Sequence, residues 1–245
     1  MLIKTPDKLH FVEQFYSFDC IDSTNDHAKT IHPIPLKGMY VVQATVQNQG
    51  RGRHGRSFFS NVFGGLWISI ITPVEDITNH FTYNRALSVA ICSTLLELYP
   101  DSDIKIKWPN DIYWNGKKVA GILLESLPAS EKHLILGFGL NVNIPISNFP
   151  SELAHLITSV QNETSRETPL VPLLEAILIQ FYNFCKNDHL TEYLYTSLLY
   201  KTGSLVRINN INGTFNGVRK DGQIELSTDK GIVYFNSGTL EYLQV

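Results

Sequence analysis

Eight consecutive residues, Gly50-Arg51-Gly52-Arg53-His54-Gly55-Arg56-Ser57, contain three glycines and three arginines. Guanidinium groups offer planar forks of N–H donors, and glycine lets backbone N–H groups approach a ligand closely. The segment therefore suits a grip on phosphate or carboxylate. It satisfies the pattern G-x-G-x-x-G and misses G-x-x-x-x-G-K-[ST] by carrying Arg56 where lysine should stand. Both patterns hold phosphate at a helix N-terminus, where free N–H groups and the positive dipole end coincide. Phe58 to Gly65 shows no apolar stripe at helical spacing, and Leu66 to Ile71 is short, β-branched and aromatic. The spacing predicts a strand reached through a loop, not the required helix. Taken alone, the segment reads as an anion-gripping loop or as a solvated basic surface loop.

A second cluster runs from Lys107 to Glu125 (KWPNDIYWNGKKVAGILLE). As structure it predicts a hairpin, with a Pro109-Asn110-Asp111 bend and an Asn115-Gly116 turn. A hairpin has no need of Lys107, Trp108, Asn110, Asp111 and Lys118 together, so the run also reads as chemistry. Gly121 inside an apolar strand points to close approach by a ligand or another backbone. Ser23, Thr24 and Asn25 read first as helix caps, Gln47 as a loop amide, and Trp108 as a core aromatic or a site residue.

Several elements must position these groups. Phe11 to Phe18 and Met39 to Thr45 read as strands, with a short helix after the capping residues at 22–26. Leu87, Ala90, Ile91, Thr94, Leu95 and Leu98 recur at helical spacing and predict a helix over Phe81–Leu98. Ile104 to Trp108 alternates apolar with cationic, as a half-buried strand does. Lys118–Glu125 and His133–Asn143 read as strands joined by a turn at Pro128. A loop-rich stretch runs to Pro169, and a buried helix follows over Leu173–Phe184. From residue 202 onward, short β segments separated by Asn212-Gly213, Asp221-Gly222 and Lys230-Gly231 predict a small barrel and place a domain boundary.

Composition bounds the rest. The 245 residues suit one large and one small domain, and the net charge of −3 disfavours a general nucleic-acid binder. No apolar run approaches the ~20 residues of a membrane span. The first residues lack the apolar core of a signal peptide, so a cytoplasmic location is expected. Cys20, Cys92 and Cys185 are far apart in apolar or aromatic contexts and read as reduced thiols. Neither they nor the eight histidines show metal-ligand spacing, and no protein metal site is expected.

The chain resembles the biotin-protein ligases. The resemblance rests on Ser23-Thr24-Asn25, the loop Gly50 to Arg56, Lys107 to Asp111, Lys118 to Leu123, and Gly137-Phe138-Gly139-Leu140-Asn141-Val142-Asn143, in family order and spacing across most of the first 200 residues. It implies an α+β protein: a catalytic domain like the class II aminoacyl-tRNA synthetases over 1–201, with a mixed sheet and flanking helices, and an SH3-like barrel over 202–245. The implied reaction has two steps. Biotin and MgATP give biotinyl-5′-AMP and pyrophosphate, and the activated biotin then acylates one lysine of a biotin carboxyl carrier protein, as in acetyl-CoA carboxylase. ATP, Mg²⁺ and biotin are the implied small molecules, with no permanently bound cofactor, and the implied assembly is a monomer or a sheet-edge homodimer.

By that resemblance Lys118 bridges the biotin carboxylate and the α-phosphate, although neighbouring Lys117 competes for the role and strand periodicity does not choose between them. Arg51 and Arg53 stabilise developing negative charge and close over the adenylate, with Gly52 as part of the biotin contact and Gly50, Arg56 and Phe58 facing the nucleotide. Phe58 stands where the family often has tryptophan. Ser23, Thr24, Asn25 and Gln47 bind the ureido head, while Gly121 and residues 65–69 line its slot. Asn110 and Asn141 lie near the nucleotide. Lys107 serves ATP phosphates or fixes Asp111, and Asp111 orients the acceptor amine, helps place magnesium or braces the loop. The complete arginine loop and the K-W-P-N-D run favour biotin over lipoate or octanoate. With 22 residues before Ser23, no helix-turn-helix module and no repressor function are expected.

Overall fold

The computed structural model describes residues 1–31, 38–127 and 130–243. Strands β1 (Leu2–Ile3), β2 (Val12–Ile21), β3 (Met39–Gln47), β4 (Gly65–Pro73), β5 (Ile104–Lys107), β6 (Asp111–Trp114), β7 (Lys117–Leu127) and β8 (Ser130–Asn141) form one sheet in the order β1-β2-β3-β4-β8-β7-β6-β5. Only β2 and β3 run parallel, so the sheet is mixed as expected.

Period-two alternation assigns the two faces of this sheet. Val41, Leu66, Ile68, Ile70, Leu134, Leu136, Phe138 and Leu140 point into the main core. That core is closed by α2 (His80–Leu98), α4 (Leu170–Cys185) and α5 (Asp188–Ser197). The opposite face carries α1 (Thr24–Thr30), whose Ala28 packs on Tyr40, Val42, Ile71 and Ile135. Ser23 caps α1 by accepting from the backbone N–H of Asp26. The remainder of this face, opposite the long helices, is where the candidate site lies.

Two helices escape the pattern of apolar residues. α3 (Val160–Thr164) is a single capped turn in which Ser159 Oγ accepts from Asn162 N at 3.1 Å. In α5 the core-facing stripe is Thr191, Leu194 and Tyr195, while Leu190 and Tyr193 are exposed, so the apolar residues in its sequence do not by themselves mark the buried face. The expected turn at Pro128 lies outside the described residues.

Strands β9 (Leu205–Ile208), β10 (Ile211–Val218), β11 (Ile224–Thr228), β12 (Gly231–Phe235) and β13 (Glu241–Tyr242) make a separate five-stranded antiparallel sheet. Asp221-Gly222 turns between β10 and β11, with Gly222 at φ +90°. A Cβ on Gly222 would lie 2.6 Å from the Phe81 ring, so the hairpin tip sits directly on the start of α2. Trp108 Nε1 donates to Gly222 O at 3.0 Å, and Val206, Ile208, Phe215 and Leu226 join the same core as Trp108 and α2. Trp108 is thus a core aromatic that ties the two sheets together, and it also borders the cleft described below. Among the described residues, no helix is long and apolar enough to cross a membrane.

Candidate active site

Cross-strand register builds the floor. Trp67 of β4 pairs with Gly139 of β8, Gly139 with Gly121 of β7, and Gly121 with Asp111 of β6. One row lower, Ser69 pairs with Gly137, and Gly137 with Leu123. The three glycines leave room above the sheet that neighbouring side chains use. A Cβ on Gly139 would fall 2.4 Å from the Phe58 ring, one on Gly137 2.2 Å from Asn25 Oδ1, and one on Gly121 2.9 Å from Lys118 Nζ. The close approach expected at Gly121 is therefore made by Lys118 and Phe58.

Lys118 reaches this face because β7 carries a bulge. Ile112 pairs with Ala120, but the next residue, Tyr113, pairs with Lys118, leaving Val119 as the extra residue. Val119 and Ala120 both point into the main core. The inserted residue inverts the alternation, so Lys118 shares the face of Gly121 and Lys117 does not line the cleft. Lys118 Nζ sits 2.7 Å from Asp111 Oδ1 and 5.6 Å from the centroid of Phe58.

The arginine loop arches over the floor without a following helix. Gly52 N donates to Arg56 O at 2.7 Å and Arg56 N to Arg53 O at 3.2 Å, closing a tight turn in which His54 and Gly55 take φ of +56° and +72°. Arg51 bonds Asp26 and, at 3.2 Å, Glu125 Oε1, whereas Arg53 donates to Asn110 Oδ1 at 3.3 Å. Burial lowers the basicity of Arg53 and nearby Arg56 adds to that, while Asp111 opposes it. Five cations, Arg51, Arg53, Arg56, Lys107 and Lys118, thus line one cleft.

At the other end the lining is polar and buried. Ser23, Thr24, Asn25 and Gln47 are each less than 10% exposed. Gln47 Oε1 accepts from Thr24 N at 2.8 Å and Thr24 Oγ1 at 3.0 Å, and Gln47 Nε2 donates to Ser60 Oγ at 3.1 Å. Ser23 therefore caps the helix, Thr24 and Asn25 form its first turn, and all three face the cleft. The enclosed volume is about 210 Å³, below the ~300 Å³ at which small-molecule sites begin. With Phe58 packed over the glycines, the loop is drawn down on the floor.

Gly52, Phe58, Lys107, Asn110 and Asp111 line the same cleft. Lys107 Nζ donates to Tyr113 Oη at 3.0 Å and lies over the Tyr113 and Tyr242 rings, so Asp111 is held by Lys118 and not by Lys107. Asn110 Nδ2 donates to Ile122 O at 2.6 Å. Gly50 and Asn141 do not line the cleft: a Cβ on Gly50 would strike Ser60 Oγ, and Asn141 Nδ2 donates to Thr158 O at 2.9 Å. Of residues 65–69 only Ile68 reaches the cleft, with Ser69 behind it bonding Asn25 and Thr24. Sequence reasoning missed Gly238, Thr239 and Leu240, which reach the cleft from the second sheet and carry no local signal. It also left Asp26 and Glu125, the two carboxylates holding Arg51, without a role.

The model of the biotin/lipoate A/B protein ligase family matches residues 17–143. The chain belongs to this family. The bifunctional ligase/repressor BirA of Bacillus spizizenii is 32% identical over 240 residues, spanning 91% of this chain and 72% of that protein. The biotin--[acetyl-CoA-carboxylase] ligase of Mycobacterium tuberculosis is 27% identical over 217 residues, 83% of this chain and 79% of the relative. Among solved structures, the biotin protein ligase from Aquifex aeolicus in complex with biotin and ATP superposes with a TM-score of 0.81 at 24% identity, covering 94% of this chain and 99% of that one.

For a biotin/lipoate A/B protein ligase the matched span is informative. It contains every expected site residue from Ser23 to Asn141, whereas Gly238, Thr239 and Leu240 lie beyond it. The family's description names both biotin and lipoate, so membership alone does not choose the acid.

Proposed function

We propose that the chain is a biotin--[biotin carboxyl carrier protein] ligase that makes biotinyl-5′-AMP and transfers biotin to a carrier lysine. The observation that carries the reading is the polarity of the cleft: a buried hydroxyl and amide group, Thr24 and Gln47, at one end and Lys118 with Arg53 and Arg56 at the other, while Arg51 stands over the polar end on Asp26 and Glu125. A desolvated ureido ring must be hydrogen-bonded, and the first end supplies that. Two anions must meet in the first step, and the second end supplies fixed positive charge.

In the first step a biotin carboxylate oxygen attacks the α-phosphorus, the bond from that phosphorus to the bridging oxygen breaks, and pyrophosphate departs. Lys118, held against Asp111 on the glycine floor, neutralises both anions at the point of contact. Arg53 and Arg56 attract the remaining phosphate charge, and Asn110 fixes Arg53. In the second step the carrier amine attacks the acyl carbonyl, AMP leaves, and the amine loses its proton. Among the described residues Asp111 is the single carboxylate lining the cleft, and it lies beside Lys118, which suits it to orient that amine. Magnesium enters with ATP as part of the substrate. Because Asp111 is already paired with Lys118, the ion would be held mainly by the substrate and would offset phosphate charge.

The loop acts as a lid. A mixed anhydride hydrolyses in water, and a glycine-jointed turn that covers it and reopens for a protein acceptor meets both needs. The small closed volume supports the same reading, since biotin and ATP enter only when Phe58 and the loop lift. We divide the chain into a catalytic unit, 1–201, and a barrel, 202–245, whose residues 238–240 complete the cleft wall. A cytoplasmic location agrees with the substrates and with unpaired cysteines. The decisive test is exchange of labelled pyrophosphate into ATP with biotin, lipoate or octanoate, followed by mass spectrometry of a carrier domain. Exchange with biotin alone is expected, and exchange driven by either of the other acids overturns the substrate.

A further inference from the structure

Glu125 lies on β7 below the arginine loop, outside the cleft lining, yet both of its carboxylate oxygens are engaged. Oε2 accepts from Asn25 Nδ2 at 2.9 Å, and Oε1 accepts from Lys29 Nζ at 2.9 Å and from Arg51 at 3.2 Å. The same side chain therefore touches the helix that carries the polar pocket and the loop that covers the cleft.

Its chemistry fixes a direction in the pocket. A carboxylate only accepts, so Asn25 must present its NH₂ to Glu125 and its carbonyl oxygen to the other side. There Ser69 Oγ lies 2.5 Å from Asn25 Oδ1 and 2.8 Å from Thr24 Oγ1, with one proton for two acceptors. The shorter contact to an amide oxygen takes that proton. Thr24 directs its own proton to Gln47 Oε1. Ser69 Oγ, 2.8 Å from Thr24 Oγ1, is thereby turned away from it, and the Thr24 hydroxyl oxygen, which lines the cleft, is left able to accept. Such a site selects a ligand that brings an N–H.

We propose that Glu125 is a positioning residue that sets the donor–acceptor polarity of the acid-binding pocket and, through Arg51, couples that pocket to closure of the lid. The inference rests on the biotin reading, in which the N–H belongs to the ureido ring. Neutralising Glu125 without shortening it keeps an oxygen for Asn25 but weakens the hold on Arg51. Truncating it leaves the Asn25 amide held on that side only by its longer bond to Leu123 O at 3.4 Å, so that the amide can turn and Ser69 can redirect its proton to Thr24 in competition with the ligand.

The experiment compares Glu125→Gln and Glu125→Ala with the wild type in pyrophosphate exchange and in release of preformed biotinyl-5′-AMP. Glu125→Ala should raise the KM for biotin at least tenfold with kcat within threefold. Glu125→Gln should restore that KM to within threefold of wild type while releasing the adenylate at least fivefold faster. A wild-type KM in the alanine variant, a KM not restored by glutamine, or unchanged release in the glutamine variant each overturns the proposal. Should the alanine variant not fold, adenylate release from Glu125→Gln decides alone. A wild-type protein inactive with biotin and active with another acid refutes the substrate reading instead, and the same comparison then runs on that acid.

Discussion

Lys118 Nζ and Asp111 Oδ1 stand 2.7 Å apart on adjacent strands, each side chain about a quarter exposed. Asp111 holds the ammonium over the glycine floor, where the proposed mechanism brings the attacking and attacked anions together. Lys118→Ala should lower biotin-dependent pyrophosphate exchange by roughly 10²–10³-fold, the usual loss when one preorganised donor to developing charge is removed. Lys118→Arg keeps the charge but changes its reach and should recover only part of the rate. Exchange within threefold of wild type in the alanine variant would remove Lys118 from the chemistry.

Arg53 is half-buried and donates to Asn110 from the loop. Removing it loosens the lid more than the floor. Arg53→Gly should still form the adenylate yet lose it to solution, so that bystander proteins become biotinylated in the presence of ATP and biotin. The check is labelling of an unrelated lysine-rich protein; a labelling pattern confined to the carrier domain refutes the lid.

Gly137 is the floor position with least room, since a Cβ would lie 2.2 Å from Asn25 Oδ1. Gly137→Ala must push Asn25 and the start of α1 aside. The KM for biotin should rise about tenfold or more, equivalent to about 1.4 kcal/mol, with a smaller change for ATP. Equal effects on both substrates would assign Gly137 to general packing.

Asp188 bonds the buried Arg85 and sits 3.0 Å from Lys220 at the tip of the second sheet. Burial by itself would raise its carboxyl, but the Lys220 bond and Arg85 outweigh it and hold the group below its usual value. A depressed folded value means stability present above the unfolded carboxyl range, near pH 4, and lost as pH falls through the lower folded value. Asp188→Asn should therefore lower Tm at pH 7, and the gap to wild type should close in acid. Thermal melts from pH 3 to 7 measure it; a gap independent of pH assigns the loss to packing alone.

Burial pushes the Cys185 thiol up to about 12 and raises Cys92 as well, while Cys20 is exposed. A brief alkylation of the native protein at pH 8 should modify Cys20 alone, with the other two reacting only after denaturation. Peptide mass spectrometry reads the outcome, and early labelling of Cys92 would show that the α2 core opens.

Some of the fold could be read directly from the chain. The helix over His80–Leu98 was legible because apolar residues recur often enough to survive burial on nearly every side. The Asp221-Gly222 and Asn115-Gly116 turns were legible because few residues accept a positive φ. α5 was not, since the side chains it buries are Thr191 and Tyr195 while Leu190 and Tyr193 face outward. Its place is set by the Arg85–Asp188 pair and by contact with α2, which are properties of neighbours.

The candidate site divides in the same way. The sequence by itself determined the chemical types: a glycine-arginine loop, hydroxyl and amide groups near residue 24, a lysine before Val119-Ala120-Gly121, and their order along the chain. Only the tertiary structure decided which lysine faces the cleft, because the bulge at Val119 inverts the alternation of β7 and a sequence pattern does not record a bulge. It alone seated Asn141 behind the floor and brought residues 238–240 and Glu125 to the cleft and its lid. Such contacts join residues that can lie more than a hundred positions apart, and no local propensity encodes them.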